Sequence, residues 1–202
     1  MSLTDPPPLS STRLPLRCHP ATPCALPLQL SVRLALCRHG TGPCLQLHYQ
    51  LCGDVDRLRL PAPAQPGPAD GLWQHTCFEA FVGVQGQSAY REYNFSPSGQ
   101  WAAYRFHDQR QRDPAPDAPV PPRIELQRGP DSLTLQACLP LAALPPASSG
   151  QPWDLGLSAV IETRDGQLSY WALQHPAERP DFHHRGGWQS PTALPAQLSP
   201  DL

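Results

Sequence analysis

Lysine is absent from this chain. All fifteen basic residues are arginines, which excludes Schiff-base chemistry and a lysine general base. Methionine occurs once, at position 1, so a thioether axial ligand for haem is not expected. An excess of positive charge is also lacking, because the formal net charge is −2. Phosphate backbones and anionic membranes are held by clustered basic residues, so neither nucleic acid nor a membrane is an expected partner. No stretch approaches the roughly 20 apolar residues of a membrane-spanning helix. The opening MSLTDPPPLSS has neither the basic start nor the apolar core of a secretory signal. There is no C-x-x-C pair, no G-x-S-x-G and no P-loop, which removes the usual sequence marks of a zinc ribbon, a serine hydrolase and a nucleotide triphosphatase.

Proline is abundant, at 28 of 202 residues. Proline cannot donate to a helix or a sheet ladder, so it belongs in loops, edges and tails, and long helices are not expected. The seven cysteines, Cys18, Cys24, Cys37, Cys44, Cys52, Cys77 and Cys138, are odd in number. With no secretion signal in view, free thiols in a reducing cytoplasm are the simplest expectation, and a cytoplasmic location goes with them. A hydrophobic content of 40% is enough for a real core. The length suits one large all-β domain better than two small ones.

The hydrophobic pattern has a period of two. Leu28, Leu30, Val32, Leu34 and Leu36 alternate with polar or small residues, and after a turn at 39–43 so do Leu45, Leu47, Tyr49 and Leu51. Further strands are predicted over 73–84, 90–95, 101–106, 133–139, 155–161 and 168–173. Ser96-Pro97-Ser98-Gly99 and Asp165-Gly166 supply hairpin turns. A short helical turn fits near 139–144. Residues 1–25 and 191–202 read as an irregular lead-in and tail around one domain at 26–190. At least eight short strands divided by turn signals imply an antiparallel sandwich or barrel.

Three segments carry residues suited to chemistry. In 72–84, alternation places Trp73, His75, Cys77, Glu79 and Phe81 on one face and the apolar Phe78, Ala80 and Val82 on the other. An indole beside an imidazole and a carboxylate suits a sugar: the ring stacks on the C–H face and the polar groups take the hydroxyls. The plainer reading is an outward strand face with a tryptophan at its edge. In 92–106, Glu92, Asn94 and Ser96 point one way, with Trp101 or Tyr104 across the turn; the plainer reading is a hairpin with one polar face. In 169–188, Tyr170 and Trp171 fall on opposite faces, and a loop follows that holds His175, Asp181, His183 and His184. Loops this rich in aromatic and charged groups often bind, although such a loop also serves to cover the end of a sandwich.

These runs resemble the bacterial DOMON-like domains, a group allied to the family 9 carbohydrate-binding modules. The match lies in Trp73–Phe81 (WQHTCFEAF), Glu92–Tyr104 (EYNFSPSGQWAAY), Ser158–Glu162, Ser169–Leu173, His175-Pro176 and Pro180–His183. It spans roughly residues 28–190. The resemblance implies an antiparallel β-sandwich of about ten strands with a ligand on its concave face or at its end. Known relatives hold sugars or haem. In the sugar-binding relatives a Trp precedes a strand Glu by six positions, a spacing that Trp73 and Glu79 keep. Trp73 is thereby expected as a stacking plate and Glu79 as a hydroxyl acceptor, with Trp171 as the second aromatic of a clamp.

Three functions follow. The first is a non-catalytic module that binds a carbohydrate or similar polar small molecule through Trp73, His75, Glu79, Glu92, Asn94, Trp101, Glu162, Trp171, His175, Asp181 and His183. The second is a haem or metal binder that uses His75, His107, His175, His183 or His184. The third is a glycoside hydrolase with a carboxylate pair drawn from Glu79, Glu92, Glu162 and Asp181, since that chemistry needs two carboxyls about 5–10 Å apart. No cofactor is required by the first, and nothing in the sequence sets an oligomeric state.

Overall fold

The computed structural model describes residues 13–39, 42–114, 120–148 and 151–190. Eleven strands form among them. They are β1 (Leu14–Cys18), β2 (Leu28–His39), β3 (Gly42–Gly53), β4 (Cys77–Val84), β5 (Tyr90–Phe95), β6 (Trp101–Asp108), β7 (Gln111–Arg112), β8 (Arg123–Arg128), β9 (Ser132–Pro140), β10 (Trp153–Glu162) and β11 (Leu168–Ala172). Every paired neighbour is antiparallel, in the order β7-β6-β5-β4-β10-β11-β1-β2-β3-β9-β8. No helix among the described residues is long and apolar enough to cross a membrane.

The run of strands is folded back on itself at β1. Leu14–Leu16 pair with β2, while Arg17 and Cys18 pair with β11. One sheet, β2-β3-β9-β8, therefore faces the other, β7-β6-β5-β4-β10-β11, as a sandwich. The expected alternation supplies the core between them. Leu30, Val32, Leu47, Tyr49, Leu51, Leu133, Leu135 and Leu139 come from the first sheet, and Phe78, Ala80, Val82, Tyr93, Phe95, Leu155, Leu157 and Ile161 from the second. Tyr49 spans the layers: its ring lies 5.1 Å from that of Phe78, and its hydroxyl donates to the Glu79 carbonyl at 2.7 Å.

Three expectations change. Residues 14–18 form a strand rather than part of an irregular lead-in, because alternate leucines there reach the core and both exposed sheet edges need a partner. The strand expected from residue 73 begins at Cys77. Leu72–Gln74 instead make a 3₁₀ turn entered through Gly71 at φ +71°, a left-handed conformation that favours glycine. The helical turn near 139–144 is narrower, a 3₁₀ turn at Leu141–Ala143. The tail at 191–202 and residues 1–12 of the lead-in lie outside the described residues.

All eight residues of β4 are buried, which an isolated amphipathic strand would not show. Its second face is covered by the segment that follows β11. That segment is tied back through reciprocal Leu155–Gln189 backbone hydrogen bonds and carries Trp188 onto Gly156. A side chain at Gly156 would meet the Trp188 indole at 2.5 Å, so only glycine lets the ring lie this close. A smaller aromatic cluster of Phe81, Tyr90, Tyr104, Phe106 and Trp188 results on the outer side of the second sheet.

Tyr49→Phe removes the hydrogen bond between the two layers and leaves a buried carbonyl one donor short. It is expected to lower unfolding stability by about 1–3 kcal/mol. A fall in the urea midpoint at unchanged slope checks this, and an unchanged midpoint refutes it.

Candidate functional site

The outer face of the second sheet is a cleft of about 730 Å³. Register explains its floor. Glu79 on β4 lies opposite Asn94 on β5 and Ser158 on β10, and one step along the sheet Phe81 lies opposite Glu92, which in turn lies opposite Tyr104 on β6. Glu79 and Glu92 are thus diagonal neighbours on one wall. Phe106, Val160 and Tyr170 continue the floor, and around it rise Asp70, Gly71, Arg110, Pro180, Phe182 and His183 from loops, Trp73 and Gln74 from the 3₁₀ turn, and Arg112 from β7.

The electrostatics of the floor follow from burial. Glu92 accepts from the Asn94 amide at 2.9 Å and faces His183 Nε2 at 3.8 Å. Burial outweighs these contacts and pushes the Glu92 carboxyl up to about 7. Glu79 lies deeper still. Burial, and then the adjacent Glu92 charge, hold its carboxyl well above the ordinary value, which favours the protonated form. Buried Glu79 Oε1 and Asn94 Oδ1 have no hydrogen-bond partner in the protein, while the Ser158 hydroxyl lies close enough to Glu79 to favour its charged form. Two such atoms at adjoining positions of one face are a cost the fold carries unless something else binds there.

His183 is held in one orientation. The Tyr90 hydroxyl accepts from the Arg110 backbone N–H at 3.0 Å, so its own proton is directed to His183 Nδ1 at 2.7 Å. Burial, reinforced by the Arg110 charge, lowers His183 to about 4. The ring is therefore neutral, and this network assigns its proton to Nε2, on the Glu92 side. Asp181 supports the same loop, accepting from Arg110 at 2.8 Å and from the His183 backbone N–H at 3.1 Å. At the rim, the Tyr104 hydroxyl donates to Asp70 at 2.9 Å while the Arg112 guanidinium lies 4.3 Å over the Tyr104 ring. Trp73, with 49% of its surface exposed, stands open at the mouth.

The sequence-expected residues divide into two groups. Trp73, Glu79, Glu92 and His183 line the cleft, with Asn94 bonded to Glu92 and Asp181 bracing the loop. The others are not brought there. His75 leaves the row expected for it, because the strand starts after it, and its Nδ1 meets Glu162 at 2.8 Å. Glu162 is occupied by His75 and by Arg59 at 2.9 Å. Trp101 falls on the face of β6 opposite to Tyr104 and Phe106. Trp171 belongs to the core and donates to Ser169, leaving Tyr170 to face the cleft. His175 packs edge-on against His19 and bonds the Arg17 carbonyl at 2.8 Å. Among the histidines weighed for haem or metal, His183 alone lines the cleft. Tyr104, Phe106 and Tyr170 could have been found from strand alternation; Asp70, Arg110 and Phe182 come from loops and Arg112 from the two-residue strand β7, where no period points to them.

No protein-family model matches the chain, and no curated protein matches it. Solved structures do. A candidate carbohydrate-binding protein from Bacteroides uniformis superposes with a TM-score of 0.62 at 18% identity, over 88% of this chain and 84% of that one. A family 9 carbohydrate-binding module from Caldicellulosiruptor kristjanssonii, in complex with cellotriose, superposes with a TM-score of 0.50 at 12% identity, over 80% of this chain and 72% of that one. At these identities the likeness is one of fold: an antiparallel β-sandwich similar to that of family 9 modules.

Proposed function

We propose that this chain is a non-catalytic binding domain whose cleft takes a carbohydrate or a similarly hydroxyl-rich small molecule. The observation that carries this reading is the buried, unpartnered Oε1 of Glu79 on the floor of an aromatic-walled cleft, with the unpartnered Asn94 Oδ1 directly beside it on β5. A neutral carboxylic acid offers a donor and an acceptor together, and the amide oxygen offers another acceptor. Hydroxyl groups satisfy both kinds. Trp73 and Tyr170 supply apolar faces for sugar C–H surfaces. The candidate carbohydrate-binding protein and the cellotriose-bound module of similar fold support the same ligand class.

One observation favours a second reading. Glu79 and Glu92 are neighbouring carboxyls on one wall of the cleft, and glycoside hydrolysis works through two such carboxyls, one protonated and one ionised. Aryl-glycoside turnover abolished in Glu79→Gln would establish hydrolysis in place of binding alone. For the binding reading, calorimetric titration against a panel of mono- and oligosaccharides is expected to give one class of ligand. Trp73→Ala should weaken it at least tenfold without lowering the melting temperature, since this indole is half exposed. Unchanged affinity in Trp73→Ala removes the stacking role.

The raised Glu92 carboxyl has a signed consequence for stability. The folded state keeps its proton up to about 7, whereas the ordinary value is 4.5. No penalty exists below pH 4.5; it grows as pH rises from 4.5 towards 7 and then stays constant. Glu92→Gln is therefore expected to leave stability nearly unchanged at pH 4 and to raise it at pH 8 by about 1–3 kcal/mol. Urea unfolding at the two pH values reads the difference, and an equal effect at both would show that Glu92 titrates normally.

A further inference from the structure

On the far side of the sandwich, strands β2, β3 and β9 bring together three cysteines that lie 7 and 94 positions apart in sequence. Cys37 and Cys44 sit directly opposite each other across the β2–β3 ladder. Cys138 lies opposite Gln46 on β9, diagonal to Cys44. Their neighbours Leu36, Leu45 and Leu139 turn inward to the core, so alternation turns all three thiols to the outer face. Their sulfurs lie within 4.8 Å of one another, and Cys37 Sγ is 2.6 Å from Cys44 Sγ. Cys44 is buried, while Cys37 and Cys138 are half-buried and border a surface hollow of about 200 Å³. That hollow gives an entry path from solvent.

We propose that Cys37, Cys44 and Cys138 form a three-thiolate site for a soft monovalent metal ion of the copper(I) class. A metal–sulfur bond of about 2.3 Å in trigonal planar coordination sets sulfurs about 4.0 Å apart. The trio reaches this spacing once rotation of the Cys37 and Cys44 side chains parts their sulfurs by about 1.4 Å from 2.6 Å. Thiolates select soft ions. A closed structural zinc site takes four ligands, and no fourth Cys, His, Asp or Glu joins these three among the described residues. Three-coordination fits copper(I) instead. Burial first, and then the thiols' hydrogen bonds to one another, push Cys37 up to about 12 and Cys44 up to about 11. Metal binding needs the thiolate, so each thiol surrenders its proton to solvent as the ion binds. Arg38 borders the same hollow and opposes the excess negative charge of the loaded site, beside an Arg123–Glu125 ion pair at 2.5 Å. The cleft on the second sheet takes no part, so this site stands independently of the sugar-binding reading.

The test is anaerobic titration of the reduced full-length chain with copper(I) against a chromophoric copper(I) chelator. The expected result is one equivalent taken from the chelator, with sulfur-to-metal charge-transfer absorption in the near ultraviolet. Cys37→Ser and Cys138→Ser, at half-exposed positions, should each lower affinity at least 100-fold with an unchanged circular dichroism spectrum, and Cys52→Ser should not. Binding that survives Cys138→Ser, failure to compete with the chelator, or a Cys37–Cys44 disulfide formed in place of metal uptake would each overturn the proposal.

Discussion

The structure depends on one constraint: β4 must be buried on both faces. Phe78, Ala80 and Val82 close the core, and Cys77, Glu79 and Phe81 face the other way, yet none of them reaches solvent. A single two-layer sandwich would leave that second face wet. The segment after β11 prevents this by laying Trp188 on Gly156 and bringing Phe182 and His183 over Phe81. Two carboxyls on that face are thereby removed from water, and the polarity of the cleft floor is fixed by that removal.

Tyr90 transmits the same arrangement outward. It stacks on Phe106 at 4.7 Å, receives the backbone N–H of Arg110 and orients His183. Arg110 in turn holds Asp181. The loop over the cleft is thus anchored to the sheet by a chain of directional contacts, which holds the aromatic wall in one arrangement.

The sandwich was legible in the sequence because each core strand keeps a strict period of two. Leu30, Val32, Leu47, Tyr49, Leu133 and Leu135 point inward as the pattern requires. The cleft was half legible. Glu79 and Glu92 sit on strands where alternation fixes the face, so they could be assigned to one side without coordinates. Trp171 shows the limit: alternation separates it from Tyr170 but does not say which face is the core. His75 shows another, because the Gly71 turn breaks the period just before it. The three outer cysteines were invisible for a different reason. Cross-strand neighbours depend on which strands pair, and β9 joins β3 only after eighty residues of intervening chain.

The place of β1 has a consequence for how the chain reaches this state. This five-residue strand is the seam between β2, its neighbour in sequence, and β11, about 150 residues downstream. Until β11 is made, one side of β1 has no partner, and the late strand has an open edge. Order of synthesis thus runs against order of pairing, and contact order is high, so closure is a slow, late event. In the interval the unclosed edges of β1 and β11 are templates for strands of other chains, and the short seam is where self-association would begin.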